Sequence, residues 1–509
     1  SSSSSSPSSS PLEGDDAPRY LVVVDAGSSG SRAHVFSVRD AVDLRRASKR
    51  MPRVKAEGVM RVVPGLSSFA DDPASAGASL RPLFDFARTL VPEDARADTP
   101  LMLLATGGVR ELSTKNPRAS RRVLASCVDA LRAQSSFQFS PRYAYVLPGS
   151  KEGLYAWVAA NYAGGTLGEV TSKHLGVLEL GGASLQVTFE GAPEEDVPSA
   201  HVESLTIGGM THRVYTHSAL GLGQESAMEA HEMAMRGAGG RRREGRTAVR
   251  SRGVFGFGVF GGGGAGDPCA PRGKKDGGDG NFTACREAAR RLLGVHDACP
   301  HASCGVGRHP RPFQPTLRGR FIATENFHHT ARFLGLPEKA SVADVASAGE
   351  EICAADWDTL VRTRSSGKDG EDELRKYCFS AAFIAAALGD AVGLREETKI
   401  AFSNAVGGVD VDWALGAAVS FAARSGGPWD ERVMMDGNGG GASVLVFVTV
   451  AVAALVAAAV AAARRTRAGR LAELRMRRLF GWPSKGALTL DRRSGSFGSG
   501  KLDAIEKGS

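Results

Sequence analysis

The chain has 509 residues, 42% of them hydrophobic and 23% charged, and a formal net charge of +8. That composition excludes a wholly disordered chain, and the length suffices for two domains with full cores. From Arg464 onward 12 Lys/Arg stand against 4 Asp/Glu, so the tail holds the whole excess, residues 1–463 are formally neutral, and a nucleic-acid-binding body is disfavoured.

Ser1 to Ser10 is nearly pure serine, and residues 1–18 read as a disordered linker. The sequence does not open on methionine, so any signal peptide or N-terminal anchor is expected to precede it. The first ordered segment is expected near Arg19. Leu21 to Val24 is a strand that runs into Asp25 to Arg32, DAGSSGSR, and His34-Val35-Phe36 carries the chain out again. Two strands joined by a Gly/Ser turn form a hairpin. The backbone N–H groups of such a turn, the hydroxyls of Ser28, Ser29 and Ser31, the space at Gly30 and the fork of Arg32 suit phosphate oxygens. Asp25 suits a hydrated divalent metal. An ordinary hairpin with a surface arginine fits the same residues.

A helical stretch around 76–90 follows, then a buried strand, Pro100 to Leu104. Its C-terminal end delivers Thr106, a candidate phosphate contact or a helix cap, and another helix follows Pro117. Tyr143 to Leu147 is a strand, and Gly149 to Tyr162 a helix with Glu152 in its first turn. Glu152 is either a dipole partner or a general base for an attacking water. Val177 to Phe189, VLELGGASLQVTF, then repeats the first hairpin. Glu179 stands where Asp25 stands, and Gly181-Gly182-Ala183-Ser184 form the turn. Two such hairpins predict two related lobes facing across a cleft.

Residues 236–266 read as a disordered Gly/Arg-rich insertion. Six cysteines follow, and their spacing lacks paired metal knuckles. Neighbour pairing, Cys269–Cys285, Cys299–Cys304 and Cys353–Cys378, is expected in an oxidising compartment, with Cys127 a buried free thiol. Asn281-Phe282-Thr283 is a glycosylation acceptor. Gly319 to Leu336 reads as a strand and a helix bearing Phe327, His328 and His329, either core residues or rings that stack on a base. Tyr377 to Leu388 is an apolar helix, Ile400 to Phe402 a strand, and Asp410 to Phe421 a helix in which Gly416 permits close approach. Ala442 to Ala463 is 22 residues without a charge, and Arg464, Arg465 and Arg467 follow at once. This pattern predicts one membrane-spanning helix, a cytoplasmic tail lying on anionic lipid and a lumenal or extracellular body.

These residues together resemble the apyrase family, the nucleoside triphosphate diphosphohydrolases, and most of all its membrane-anchored plant and algal branch. The resemblance runs from about Tyr20 to Phe421. It rests on DAGSSGSR, ATGGVREL, EGLYAWVAANY, ELGGASLQ and the DWALGA helix, in that order. It implies an α/β, two-lobed, actin-like (ribonuclease-H-like) fold. Lobe I is expected over 19–149, completed by helix 408–424, and lobe II over 150–407. A linker 425–441, a transmembrane helix 442–463 and a basic tail 464–509 complete the chain.

The resemblance also implies metal-dependent hydrolysis of nucleoside tri- or diphosphates, with Ca²⁺ or Mg²⁺ as cofactor. Glu152 matches the catalytic base, and Ser184 and Gln186 match residues that hold the attacking water. Ser28, Ser29, Gly30, Ser31, Arg32, Thr106, Gly182, Ala183 and Ser184 match phosphate contacts. Asp25 and Glu179 match carboxylates that hold the metal through water, and Phe327 and His329 fall in the base-stacking region. Glu179 replaces a usual aspartate, Gly107 a usual alanine and His329 a usual tyrosine or phenylalanine. An exopolyphosphatase-type hydrolase and a non-hydrolysing nucleotide-binding membrane sensor are the competing expectations.

Overall fold

The first strand sets the frame. In the computed structural model β1 (Arg19–Ala26) is buried from Leu21 onward and lies between β2 (Ser31–Arg39), antiparallel, and β4 (Leu101–Ala105), parallel. An apolar run without alternation suits a strand covered on both faces. With β3 (Arg53–Val62) and β5 (Ala144–Val146) these strands form a five-stranded sheet in the order β3-β2-β1-β4-β5. The second sheet holds β6 (Leu175–Leu180), β7 (Ser184–Glu190), β8 (Val202–Ile207), β9 (Met210–Leu220), β10 (Arg320–Glu325), β11 (Lys339–Ser341) and β12 (Lys399–Phe402). Its order is β11-β12-β10-β6-β7-β9-β8. Within it β9-β7-β6-β10-β12 repeats the neighbour pattern of the first sheet, with two antiparallel pairings followed by two parallel ones.

Helices α1 (Ser75–Ala78), α2 (Arg81–Leu90), α3 (Gly107–Lys115) and α4 (Pro117–Gln134) accompany the first sheet, whose outer face packs on Leu83, Phe84, Val123 and Cys127. The central helix α5 (Gly149–Ala163) is buried continuously from Glu152 to Asn161, as befits a helix apolar on all sides. Helices α6 (Gln224–Gly240), α7 (Phe282–Leu292), α8 (Asn326–Phe333), α9 (Val342–Ala354), α10 (Trp357–Arg364), α11 (Glu371–Leu374) and α12 (Lys376–Ala385) belong to the second lobe. Helix α13 (Trp413–Ser425) returns to pack against α5 and the first hairpin. The structure describes residues 17–39, 51–134, 136–169, 173–191, 197–240, 266–273, 278–364, 370–425 and 429.

Three cores result. One lies outside the first sheet, one outside the second, and one between the sheets around α5 and α13. Strand alternation assigns residues to them. Leu21 and Val23 enter the middle core while Val22 and Val24 enter the outer one, and Val177 enters the middle core while Leu178 and Leu180 enter the second outer core. By the same alternation Asp25 and Glu179 fall on the faces that look toward each other across the middle layer.

Several expectations need correction. The stretch 76–90 is two helices, α1 and α2, with a break between Ala78 and Arg81. The last helix begins at Trp413 because Asp412 precedes it, its carboxylate accepting the Leu415 backbone N–H at 2.9 Å. Residues 236–240 continue α6, and the rest of the Gly/Arg-rich insertion, 241–265, lies outside the described residues. The expected span 442–463, the basic tail, most of the linker before them and residues 1–16 also lie outside the described residues. Among the described residues no helix is long and apolar enough to cross a membrane.

Candidate active site

The two Gly-rich turns are superimposable in pattern. In the first, Gly27 N–H donates to Gly30 O at 2.9 Å, and Asp25 pairs across the strands with Arg32. In the second, Gly181 N–H donates to Ser184 O at 3.0 Å, and Glu179 pairs with Gln186. The turns meet. A Cβ on Gly182 would lie 2.2 Å from Ser28 Oγ, so any larger residue there displaces the Ser28 side chain. Ser28 donates to Glu225 at 3.1 Å, at the start of α6, whose first N–H groups are bonded to Gly181 O and Gly182 O. Arg61, from β3, donates to Ser29 Oγ at 2.9 Å and brings a second guanidinium to the first turn.

Glu152 lies where α5 begins, in the middle layer and 7% exposed. Arg110, from the first turn of α3, sets Nη1 2.6 Å from Glu152 Oε2 and donates Nη2 to Ser184 Oγ at 2.9 Å. Gln186 Nε2 donates to the same Glu152 oxygen at 3.0 Å and to Ser184 Oγ at 2.9 Å. Ser184 Oγ therefore accepts twice, and its own O–H is directed elsewhere. Four side chains from three elements are locked into one network, in which the charged fork of Arg110 holds the Glu152 carboxylate. Sequence reasoning missed Arg110. It stands inside the second motif, and what makes it functional is a contact with a residue 42 positions on.

Carboxylates converge on this network. Asp25 is buried and takes the Arg32 Nη1 donor at 3.2 Å on Oδ2, while its Oδ1 has no partner. Burial pushes the Asp25 carboxyl up to about 7; Arg32 opposes that shift, and Glu152, Glu325 and Asp412 add to it. Burial likewise raises Glu179 well above the usual carboxylate range, with Glu152, Glu325 and Asp25 adding repulsion and Arg110 opposing it. Glu179 Oε2 and Gln186 Oε1 are also buried without partners. Unpartnered, buried acceptor oxygens on mutually repelling carboxylates fit a divalent cation, which takes oxygen ligands and cancels the repulsion. Glu325, at the end of β10 with φ of 57°, joins this cluster from the second sheet and was not foreseen.

The remaining candidates divide. Thr106 is buried beneath the first turn. Its N–H donates to Ala26 O at 3.0 Å, and its hydroxyl lies 3.4 Å from the same oxygen, so in this structure it ties β4 to β1. Asn326 does the equivalent in the second lobe, donating to Leu180 O at 2.9 Å. A Cβ on Gly107 would lie 3.1 Å from Ala183 Cβ and Ser184 Oγ, so this glycine supplies space rather than backbone freedom. Ser31 is fully buried. Phe327 is fully buried in the outer core of the second lobe and offers no face to a base, because its side of α8 packs on α12. His329 is exposed, with its ring 5.5 Å from that of His328. All three neighbour disulfides are present, and Cys127 is free and buried. Asn281 is exposed and caps α7, with Oδ1 accepting from Ala284 N–H at 3.0 Å.

Comparison with known proteins agrees with this geometry. The model of the GDA1/CD39 (nucleoside phosphatase) family matches residues 12–434. A probable apyrase 6 of Arabidopsis thaliana is 36% identical over 433 residues, covering 79% of this chain and 72% of that protein. An ectonucleoside triphosphate diphosphohydrolase 8 of Bos taurus is 32% identical over 423 residues, covering 78% and 81%. The crystal structure of nucleoside triphosphate hydrolases from Neospora caninum superposes with a TM-score of 0.51 at 14% identity, over 80% of this chain and 93% of that one, a likeness of fold. With its two sheets, its paired turns and these relatives, the chain belongs to the GDA1/CD39 (nucleoside phosphatase) family.

Proposed function

We propose that this protein is an apyrase, hydrolysing the terminal phosphate of nucleoside tri- and diphosphates with an activated water. The observation that carries the reading is the Glu152 carboxylate, held by Arg110 and Gln186 between two matching Gly-rich turns. The turns and Arg32 bind the phosphate oxygens. Ser184 and Gln186 position the water in line with the terminal phosphorus. Glu152 takes its proton as the new P–O bond forms and the bridging P–O bond breaks, and the released nucleotide carries away the bridging oxygen. Ser28, Ser29, Gly30, Ser31, Gly182 and Ala183 are assigned to the phosphate cradle. Thr106 supports it from below.

Asp25 and Glu179 would hold a divalent cation through water, with Ca²⁺ and Mg²⁺ the ions of choice for an oxygen-only set. When bound, the cation neutralises charge on the phosphate oxygens. The actin-like two-lobed reading is supported by the repeated sheet pattern. The lumenal or extracellular placement, with 442–463 as anchor in the bilayer and 464–509 cytoplasmic, is supported by the disulfides and the exposed Asn281 acceptor.

Phosphate release from ATP, ADP, UDP, GDP, AMP and polyphosphate, each with Mg²⁺, Ca²⁺ or EDTA, tests the reading. Release from tri- or diphosphates but not AMP, abolished by EDTA, is expected. Release from polyphosphate alone, or nucleotide binding without release, would overturn it. For topology, truncation before Ala442 is expected to free an active body from membranes, and its retention there would contradict the single anchor.

A further inference from the structure

A second polar cluster lies at the opposite end of the second sheet. His174 immediately precedes β6, Glu190 ends β7 and His212 lies in β9. One ring nitrogen of each histidine and one Glu190 oxygen all lie within 4.8 Å of one another. His174 Nδ1 is 2.5 Å from Glu190 Oε2, and His212 Nδ1 is 3.4 Å from Glu190 Oε1. Both imidazoles are buried, at 6% and 1% side-chain exposure, whereas Glu190 is 31% exposed and opens the cluster to solvent. Glu179 is five residues further along β6, about 16 Å away at strand rise, so this cluster is separate from the carboxylates of the cleft.

His174 is held at both ring nitrogens. Its Nε2 lies 3.0 Å from Thr166 O, a carbonyl that only accepts, so the Nε2 proton is fixed there. In the neutral ring Nδ1 then carries a lone pair, and that lone pair faces a carboxylate oxygen. At 2.5 Å a proton stands between these two acceptors, and a metal ion takes its place only once the pair opens to the wider spacing of ligand atoms. A metal-bound histidine characteristically donates its other N–H to a carbonyl in this way. Trp157 closes the apolar side, with its ring centroid 5.4 Å from that of His174 and 5.3 Å from that of His212. His212 Nε2 is buried with no hydrogen-bond partner.

We propose that His174, His212 and Glu190 form a binding site for a transition-metal dication of the Zn²⁺ class. Two imidazole nitrogens, one carboxylate and one position open to water make up a four-coordinate set for such an ion. Ca²⁺ and Mg²⁺, which take oxygen ligands, do not compete for it. Ligand atoms of such a site lie about 3.3 Å apart, so binding requires the Glu190 carboxylate, 31% exposed, to turn out of its short contact with His174. The bound ion pins the start of β6 and the end of β7 to β9, so it is a structural site and not a part of phosphate hydrolysis.

The test uses the full chain, stripped with EDTA and held in excess Mg²⁺ to occupy the oxygen site, then titrated with Co²⁺ and Zn²⁺. The expected result is one equivalent of Co²⁺ with the strong visible absorption of a four-coordinate ion, displaced by one equivalent of Zn²⁺, which also raises Tm. His174→Gln, His212→Gln and Glu190→Gln are each expected to lose the absorption and the Tm gain while Mg²⁺-supported phosphate release persists. A wild-type chain without the absorption, or absorption indifferent to all three substitutions, would overturn the proposal. Should the variants fail to fold, X-ray absorption of the Zn²⁺-loaded wild type decides: two imidazole scatterers support the site, and a shell without them refutes it.

Discussion

Arg110 does more than neutralise a neighbour. Its guanidinium spans Glu152 Oε2, Ser184 Oγ and the Leu147 carbonyl, so one side chain sets the relative positions of Glu152, the proposed base, and Ser184. Lysine carries the charge but not the fork. Arg110→Lys is expected to lower kcat with little change in KM, and Arg110→Ala to lower it by about 10²–10⁴, the range that a positioned general base contributes. A kcat unaffected by either substitution would remove Arg110 from the machinery.

At the scale of elements, the contact between α5 and α13 holds the middle layer together. A Cβ on Gly416 would lie 1.7 Å from the Tyr155 carbonyl oxygen, a backbone atom on the facing helix that cannot swing away. Gly416→Ala is expected to destabilise the body by about 1–3 kcal/mol, as overpacking does, visible as a lowered Tm. An unchanged Tm would mean that the helices separate freely.

The second lobe carries an acid-sensitive histidine. Burial, aided by His201, pushes His217 down from 6.5 to about 4, although its bond to Val306 O at 2.8 Å opposes the shift. The unfolded chain therefore takes up this proton at a higher pH than the folded one. Stability is full above about 6.5, falls as the pH drops through the window to about 4, and levels off below it. Tm measured across that window is expected to fall more steeply for the wild type than for His217→Gln, and parallel curves would contradict the assignment.

For the whole molecule, duplication explains what the sequence could disclose. The turns, the strand before each and the cross-strand pairs Asp25–Arg32 and Glu179–Gln186 are local, so eight-residue motifs carried them. The neighbour disulfides were legible for the same reason. Arg110 against Glu152, Arg61 at the first turn and Glu325 beside Asp25 were not, because sheet order brings them together over long separations. Phe327 and His329 stand two residues apart on α8, yet only the packing of that helix on α12 decides that one enters the core and the other faces out. Between Val202 and Leu220 two strands pair with each other, and β9 pairs in turn with β7, a long-range neighbour that the local sequence does not name.

The central claim is that Glu152 acts on water and not on nucleotide binding. Phosphate release and equilibrium nucleotide binding, measured side by side on the wild type and Glu152→Gln in Mg²⁺, test it most directly. The account predicts turnover lost by about 10² or more, with nucleotide affinity retained. Turnover that survives the substitution, or affinity that falls together with it, would contradict the account.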